Sequence, residues 1–316
     1  MNLFASTLSQ MAFLLLLIFI GFFLTKRKII PTEGANLLSK LENNVFIPAL
    51  ALGTFSQNFT ADQIGYAGQY FLCGLLVISI CAPLAVLISR CLTKDRYLRN
   101  IYTYGLAFAN FGFMGNAVVA ALFPDLFMEY MVFSLPLWIF IYVWGGPYLL
   151  MPPKDGKSSL ISGLSNLLNP MFIGMVLGAV LGLTGLPIPS FLNSAFTTLG
   201  NCMSPMAMLL TGITIASIDL KAAVKNGMVY FLSLIRLVII PLIALGILAL
   251  VPVSYELALC MICALAMPLG LNSVVIPSAY GLDTSAAAGM ALVSHVLSCI
   301  SIPVIFMLFD MLMKAV

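Results

Sequence analysis

Charged residues are scarce in this chain. Only 8% of its 316 residues are Asp, Glu, Lys or Arg, whereas 62% are hydrophobic and the mean hydropathy is +1.11. A soluble domain carries about 25% charged residues, so this composition excludes a soluble globular protein and predicts an all-α integral membrane protein embedded in the lipid bilayer. The net charge of +3 comes from basic residues in short loops between apolar runs, which argues against a nucleic-acid partner.

Residues that carry catalysis or bind metals are equally scarce. His295 is the only histidine, so a His-Glu-x-x-His zinc site is impossible, and the chain has no Gly-x-Ser-x-Gly elbow. The seven cysteines are odd in number and most lie inside apolar runs, which predicts small core residues rather than disulfides. The sequence therefore predicts neither an enzyme nor a resident metal or cofactor.

The apolar residues fall into ten runs, each close to the roughly 20 residues that a helix needs to cross a bilayer. Lys26-Arg27-Lys28 follows the first run and no basic segment precedes it, which indicates an uncleaved helix rather than a signal peptide. The predicted spans are approximately 5–24, 36–56, 66–89, 101–122, 127–150, 168–186, 195–217, 228–250, 255–279 and 286–312.

The basic residues predict how these spans are oriented. If the N-terminus lies outside, 12 of the 14 Lys and Arg residues fall on the cytoplasmic side. The opposite loops carry acids such as Asp62, Asp125 and Glu256, and no basic residue before Lys314. The expectation is a multi-pass protein of the cell membrane with both termini outside and basic cytoplasmic loops.

Two of the spans, the fourth and the ninth, are interrupted by polar and helix-weakening residues. Glycine weakens a helix, and hydrocarbon cannot satisfy an amide side chain. A membrane helix tolerates such a break only where it faces protein or a wet cavity, and matching breaks in two halves indicate a transporter's binding site. The predicted substrate-binding residues are Asn110, Gly112, Gly115, Asn116, Gly270, Asn272 and Ser273.

The two halves of the chain resemble each other at an offset of 156 to 158 residues. Five spans in each copy must enter the membrane from opposite sides, so the repeat is predicted to be inverted, as in many secondary transporters. The predicted units are a first five-helix repeat at 1–151, a cytoplasmic linker at 152–160 and a second repeat at 161–316. The matching pairs are Gly21 and Gly178, Asn44 and Asn201, Pro48 and Pro205, Pro83 and Pro241, Asn116 and Asn272, and Asp125 and Asp283.

The interrupted spans also carry motifs of a known family. Asn-x-Gly-Phe-Met-Gly begins at Asn110, Met-Pro-Leu-Gly-Leu-Asn-Ser-Val-Val begins at Met267, and Ser-His-x-x-Ser begins at Ser294. In these motifs the chain resembles the auxin efflux carrier family, and within it the bacterial organic-acid permeases. The resemblance covers nearly the whole chain.

The resemblance implies a fold shared with bile-acid symporters and sodium–proton antiporters, built from two inverted five-helix repeats. It implies that helices 4 and 9 are broken and cross at mid-membrane. It also implies a scaffold of helices 1, 2, 6 and 7, through which a homodimer could form, and a moving transport domain of helices 3–5 and 8–10. Plant carriers have a proline at each crossover, where this chain has Ala117 and Ser273, and their long cytoplasmic loop is missing here.

The interrupting residues have a second, purely structural interpretation. The N-termini of half-helices can bind an anion, but glycines also allow close helix packing. The symmetry of the halves favours a site, with Asn116 and Asn272 as the leading ligands. Pro48 and Pro205 are predicted to break helices 2 and 7, and a kink in the scaffold is favoured over substrate contact for both.

The sequence suggests roles for three ionisable residues inside the predicted spans. Arg236 lies roughly 15 Å deep, where it serves either as a countercharge for a carboxylate or as a donor to the carbonyls of a broken helix. His295 either carries a coupling proton or is a satisfied hydrogen-bonding residue. Glu42, close to Lys40, is expected to snorkel to the membrane interface.

The pattern as a whole predicts a secondary transporter of a small organic anion, a mono- or dicarboxylate, that works by elevator-like alternating access. The coupling ion is expected to be H⁺ or Na⁺. One alternative is a sodium-coupled carrier of a larger sterol-like or other amphipathic anion, because carbonyls at a broken helix can bind sodium. A channel is the other alternative, although no ring of charges at one depth supports it.

The predicted orientation can be tested by labelling with impermeant reagents in a background without the native cysteines. Lys94 and Lys157 should react only from the cytoplasmic side, and cysteines introduced at Asp62 and Ser190 only from the outside. Reaction of Lys157 and of Asp62→Cys from the same side would contradict the inverted repeat.

Overall fold

The computed structural model describes residues 3–61, 64–151, 167–217 and 220–315. Within these ranges the regular secondary structure is helical, apart from one isolated antiparallel bridge between Ala109 and Leu269. The predicted linker at 152–160 and the labelling positions Asp62 and Lys157 lie outside the described residues. The α-helices are α1 Leu3–Lys26, α2 Gly34–Leu41, α3 Ile47–Asn58, α4 Ile64–Leu92, α5 Arg96–Ala107, α6 Asn116–Leu122, α7 Phe127–Phe140, α8 Pro170–Thr184, α9 Ser190–Ala216, α10 Leu220–Lys225, α11 Gly227–Leu234, α12 Ile240–Leu248, α13 Tyr255–Leu265, α14 Asn272–Ala279 and α15 Ser285–Ala315.

In the part of the chain that the structure describes, six helical runs are long and apolar enough to cross a membrane: Phe4–Lys26, Ile64–Leu92, Pro124–Leu150, Ser190–Ala216, Gly227–Leu248 and Ser285–Ala315. Large apolar side chains cover their outer faces, including Leu16, Phe19, Leu72 and Leu76, each more than half exposed. Apolar surface on this scale is characteristic of a protein solvated by lipid. The chain is therefore an integral membrane protein.

Among the described residues, four segments adopt the wider π-helical pattern, which is rare and frequently found at functional sites. Two of them directly precede a proline. The N–H of Ile47 donates to the Glu42 carbonyl just before Pro48, and the N–H of Ile240 donates to the Ile235 carbonyl just before Pro241. The four segments are Glu42–Phe46, Phe111–Gly115, Ile141–Leu150 and Ile235–Ile239.

The two prolines predicted to interrupt or kink helices 2 and 7 both lie in continuous helical chain. Pro48 is the second residue of α3 and follows the π turn Glu42–Phe46, so helix 2 is bulged and stays helical. Pro205 lies inside α9, which runs unbroken from Ser190 to Ala216. A proline in a helix removes one hydrogen bond, and α9 remains helical there because it is packed along α1 and α3.

The closest helix pairs are α1 with α9 and α3 with α8. Glycines bring these backbones together, because a Cβ at Gly21 would collide with the carbonyl oxygen of Leu209. A Cβ at Gly178 would likewise approach the carbonyl oxygen of Leu52 to 2.6 Å. The second contact repeats the first at an offset of 157 residues, with the partners exchanged between the halves.

The remaining long helices pack around the two interrupted ones. α4 lies against α5 and α7, and α15 lies against α11 and the turn Ile235–Ile239. This group meets the first helix pairs where α1 packs on α15 and α6, and where α9 packs on the turn Phe111–Gly115.

Two apolar clefts of similar volume, about 540 and 510 Å³, lie between the two groups of helices. The first lies between α1 and α15, and the second between α8, α3, α4 and α7. Four residues lining the first cleft match four lining the second at an offset of 157: Ile18 and Met175, Phe19 and Val176, Phe22 and Ala179, and Leu292 and Leu135.

The glycine contacts predict a matched pair of destabilising substitutions. Gly21→Ala and Gly178→Ala should each cost about 1–3 kcal/mol, because the added methyl meets backbone that cannot move aside. Thermal unfolding of the detergent-purified protein measures the effect. Gly246→Ala is the control, since a Cβ there meets nothing within 4 Å. A melting temperature for Gly178→Ala equal to that of Gly246→Ala would contradict the close contact.

Candidate substrate site

The two interrupted helices cross at their breaks. α5 ends at Ala107 and its chain becomes helical again at Phe111, while α13 ends at Leu265 and resumes at Asn272. Between the breaks the Asn110 N–H donates to the Pro268 carbonyl at 2.7 Å, and the Gly270 N–H donates to the Phe108 carbonyl at 3.3 Å. Each break therefore provides hydrogen-bond partners for some backbone groups of the other. Non-helical backbone in a membrane protein requires such partners.

Arg236 binds the carbonyl ends of both interrupted helices. Its guanidinium is buried, with 1% of the residue exposed. Nη1 donates to the Leu106 carbonyl at 3.2 Å, Nη2 to the Ala264 carbonyl at 3.3 Å, and Nε to the Met267 carbonyl at 3.3 Å. Of the two roles considered for Arg236, these contacts are those of a donor to the carbonyls of broken helices.

The contacts of Arg236 change the electrostatic potential at the crossing. Each helix C-terminus carries roughly half a negative charge, so two of them together match the single positive charge of Arg236. The N-terminal ends that begin at Phe111 and Asn272 have no comparable acid beside them among the described residues. Their first N–H groups lack an intrahelical acceptor, which leaves a positive potential at the crossing.

His295 and Asn110 form a buried pair beside the crossing. His295 Nδ1 lies 2.7 Å from the Ala291 carbonyl and must donate to it, because a carbonyl only accepts. Nε2 of the same ring is then the acceptor for the Asn110 amide at 2.9 Å. The imidazole is thus fully bonded as a neutral ring, and it also lines the cleft between α1 and α15.

Asn116 and Asn272, the leading ligands in the sequence, are placed differently with respect to the crossing. Asn272 is the first residue of α14, three positions beyond Leu269, and its side chain lies next to the Tyr104 hydroxyl. Asn116 lies seven positions beyond Ala109, because the π turn Phe111–Gly115 precedes it. Its own N–H donates to the Phe111 carbonyl. Asn116 therefore lies about one helical turn farther from the crossing than Asn272.

The glycines of the fourth span pack against aromatic residues of α7. A Cβ at Gly112 would collide with the Trp138 indole, and one at Gly115 with the Tyr130 hydroxyl. These contacts correspond to the packing role considered for both glycines. Gly270 instead approaches backbone, since a Cβ there would lie 3.0 Å from the Phe108 carbonyl oxygen.

Ser273 is buried, and its hydroxyl donates to the Gly270 carbonyl at 2.7 Å, within its own turn. Among the predicted ligands, this places Asn110, Gly270, Asn272 and Ser273 at the crossing itself. Asn116, Gly112 and Gly115 lie in the resumed helix and its packing against α7.

Sequence reasoning missed three residues that support the crossing. Tyr104 is buried beside Asn272, and the Tyr130 hydroxyl donates to the Phe111 carbonyl at 2.9 Å. The Ser294 hydroxyl accepts from the Leu269 N–H at 3.2 Å. Ser294 belongs to the Ser-His-x-x-Ser motif and could have been found, whereas a tyrosine in an apolar span has no signal that separates it from core.

The expectation that Glu42 snorkels to the interface is wrong. Glu42 is 0% exposed, and neither carboxylate oxygen has a hydrogen-bond partner. The π turn that begins at Glu42 carries the side chain into the protein, where the elements α2, α3, α8 and α9 surround the turn.

No cluster of three or more His, Cys, Asp and Glu residues that could hold a metal occurs in the described ranges.

Two crossing broken helices inside an apolar, all-helical chain define a membrane transporter. The model of the family described as membrane transport protein matches residues 6–306, so the chain belongs to this family, that of the auxin efflux carriers. It is accordingly a transport protein rather than an enzyme.

Two archaeal proteins are similar to this chain along most of their length. An uncharacterized transporter of Methanothermobacter thermautotrophicus is 25% identical over 299 residues, covering 92% of this chain and 94% of the relative. An uncharacterized transporter of Methanocaldococcus jannaschii is 23% identical over 298 residues, covering 91% and 94%.

The contacts of Arg236 predict that it acts on stability. Arg236→Gln should lower the melting temperature by an amount equivalent to about 3–5 kcal/mol, because three buried carbonyls lose a charged donor. Arg236→Lys should lose less, since an ammonium keeps the charge but lacks the planar fork. A Gln variant with wild-type stability that no longer binds carboxylates would instead assign Arg236 as a substrate countercharge.

Proposed function

We propose that this protein is a secondary transporter of a small organic anion, a mono- or dicarboxylate, with its substrate site at the crossing of the two broken helices. The observation that carries the proposal is the contact of Arg236 with the carbonyl ends of both helices. Because that cation neutralises the negative ends, the two N-terminal ends remain available to an anion.

Within this proposal the amide side chains provide selectivity. An asparagine can donate to a carboxylate and accept from a backbone N–H at once. Asn272 is partly exposed at the first turn of α14, and Asn116 follows the π turn of the other broken helix. A carboxylate at the N–H groups of Phe111 and Leu271, where the two helices resume, could be reached from both helices, with water bridging to the more distant Asn116.

The proposed architecture is ten spans arranged as two inverted repeats, with a scaffold and a sliding transport domain. The exchanged contacts Gly21 with Leu209 and Gly178 with Leu52 support a two-fold relation between the halves. The pair of apolar clefts at the same 157-residue offset supports two equivalent seams between scaffold and transport domain. Such seams suit elevator-like movement, because apolar surfaces slide without breaking hydrogen bonds.

The proposed orientation places both termini outside. Contacts between helix ends support alternating directions of the helices. The Tyr97 hydroxyl at the start of α5 donates to the carbonyl of Asp283, between α14 and α15. At the other end of the molecule, Tyr255 at the start of α13 lies against Phe309 near the end of α15.

A larger amphipathic anion is the second candidate substrate. The cleft between α1 and α15 is almost wholly apolar, and its volume of about 540 Å³ lies in the range of small-molecule sites. His295 lines this cleft and bonds Asn110 of the crossing, so an apolar body in the cleft would lie close to an anionic head at the breaks.

The proposal predicts loss of substrate binding on changing either asparagine. Asn116→Leu and Asn272→Leu should each abolish the thermal stabilisation that a bound carboxylate provides, because leucine keeps the volume but neither donates nor accepts. The measurement is a thermal-shift screen of purified protein against mono- and dicarboxylates. The double variant should be no worse than either single one, since both side chains act on one ligand.

Asn193→Leu is the matched control, because Asn193 pairs with Gln57 between α9 and α3, away from the crossing. It should bind carboxylates like the wild type. Retained binding by both crossing variants, or equal loss in Asn193→Leu, would contradict a site at the breaks.

A further inference from the structure

Glu42 and Arg236 are the two buried charged side chains in the described part of the chain, and they differ in how they are satisfied. Arg236 donates to three carbonyls. Glu42 has no hydrogen-bond partner for either oxygen, although its exposure is 0%. A buried polar group without a partner requires an explanation, and the packing described so far provides none.

The local sequence explains how the carboxyl reaches the interior. Pro48 cannot donate a backbone hydrogen bond, and the preceding turn Glu42–Phe46 widens so that Ile47 N–H bonds the Glu42 carbonyl. One extra residue in a turn rotates the helix face by about 100°. The neighbouring amides do not reach the carboxyl, because Asn43 and Asn44 donate back to the carbonyls of Ser39 and Lys40.

The described elements around Glu42 hold little charge. The elements packed against its turn are α2, α3, α8 and α9. Their titratable side chains are Lys40 on α2, which is exposed, and Cys202 on α9, while α3 and α8 have none. No ion pair to Glu42 occurs among the described residues. An ionised carboxylate held in this way would be costly, whereas a protonated carboxyl is neutral and avoids that cost.

A proton also suits this site better than a metal cation does. Hard cations require several oxygen ligands around them, and Glu42 is the one acid on its turn and on the described elements packed against that turn. A proton is held by one covalent O–H bond and needs no cage. His295 is less suited, because both ring nitrogens are already engaged, with Ala291 and with Asn110.

One helix connects Glu42 to the crossing. α9 packs against the turn Glu42–Phe46 and also against the turn Phe111–Gly115 of the broken helix. The elements packed on Glu42 all belong to the proposed scaffold, so the packing around Glu42 changes if α9 shifts as the broken helix moves along it. A carboxyl that is dry in one conformation and wet in another binds and releases a proton as the conformation changes.

We propose that Glu42 is the proton-binding site of this transporter, protonated in the conformation described here and released to water in another. The step moves one proton between water and a carboxylate oxygen, and no other bond changes. The proposal rests on the proposed function, because coupling has meaning only for a secondary transporter. Its test, however, needs no substrate.

The test is the pH dependence of thermal unfolding, measured without carboxylates between about pH 5 and 8. A glutamate in the unfolded chain ionises near pH 4.3, so unfolding releases the proton that the folded protein holds. The wild-type unfolding equilibrium constant should then rise by up to about tenfold per pH unit across this range. Glu42→Gln mimics the protonated group and should remove that slope, becoming more stable than the wild type at pH 8.

Control variants and sodium separate the alternatives. Glu256→Gln changes an exposed acid and should keep the wild-type slope. A slope that survives in Glu42→Gln and disappears in His295→Gln would overturn the proposal in favour of the histidine. Stabilisation of the wild type by Na⁺ over choline at fixed pH, lost in Glu42→Gln, would overturn it in favour of sodium.

A labelling experiment on the wild-type protein covers the case in which Glu42→Gln does not fold. Dicyclohexylcarbodiimide reacts with protonated carboxyls in apolar surroundings. It should modify Glu42 faster at pH 6 than at pH 9, as read by peptide mass spectrometry. Absence of modification, or equal rates at both pH values, would contradict the proposal. Carboxylate binding could still stand in that case, so the two proposals fail separately.

Discussion

The contact between Arg236 and three backbone carbonyls is the interaction on which the centre of this protein depends. Two helices end in the buried interior of an apolar chain with their carbonyls converging, and a buried carbonyl without a partner is costly. The planar guanidinium reaches Leu106, Ala264 and Met267 at 3.2–3.3 Å, from one side chain. Burying the Arg236 guanidinium without partners would be unfavourable, and so would burying the unpaired carbonyls at the two helix ends. Each stabilises the other.

The contacts of Arg236 also determine the sign of the electrostatic potential where the two broken helices cross. Had an acid occupied the N-terminal ends, the centre would be neutral and indifferent to anions. Instead, among the described residues the buried cation Arg236 lies on the carbonyl side, and the amide side holds the neutral groups Asn110, Asn272 and Ser273. The potential available to a ligand therefore comes from backbone dipoles, which cannot be titrated and do not change with pH.

Both buried charges occur in π turns that precede a proline. Glu42 begins the turn before Pro48, and Arg236 is the second residue of the turn before Pro241. The extra residue in such a turn changes which side chain faces inward, so a residue that helical periodicity assigns to one face appears on another. This explains why the sequence position of Glu42 predicts a place at the membrane interface, whereas the structure buries the side chain.

Much of the helical layout follows from the sequence, because long apolar runs and their Gly, Asn and Pro interruptions are local features. The breaks after Ala107 and Leu265 lie in the two spans where glycines and asparagines accumulate. The features that could not be predicted from the sequence depend on contacts between residues that are far apart in the chain. The π turn before Asn116 is packed on Trp138 and Tyr130, and the partners of Arg236 are carbonyls, which have no sequence signature.

The two halves are alike in their clefts but differ at the residue that borders the crossing. His295 lines the first cleft and bonds Asn110, whereas the residue 157 positions earlier, Trp138, lies against Gly112. In a protein with two equivalent halves, the inward- and outward-facing states would be equal in energy. Differences at matched positions such as His295 and Trp138 remove that equality, since only interactions that differ between two states shift their populations. Under the proposed alternating-access mechanism, the similar clefts would allow movement in both directions, and the dissimilar residues beside the crossing would decide which state prevails when no ligand is bound.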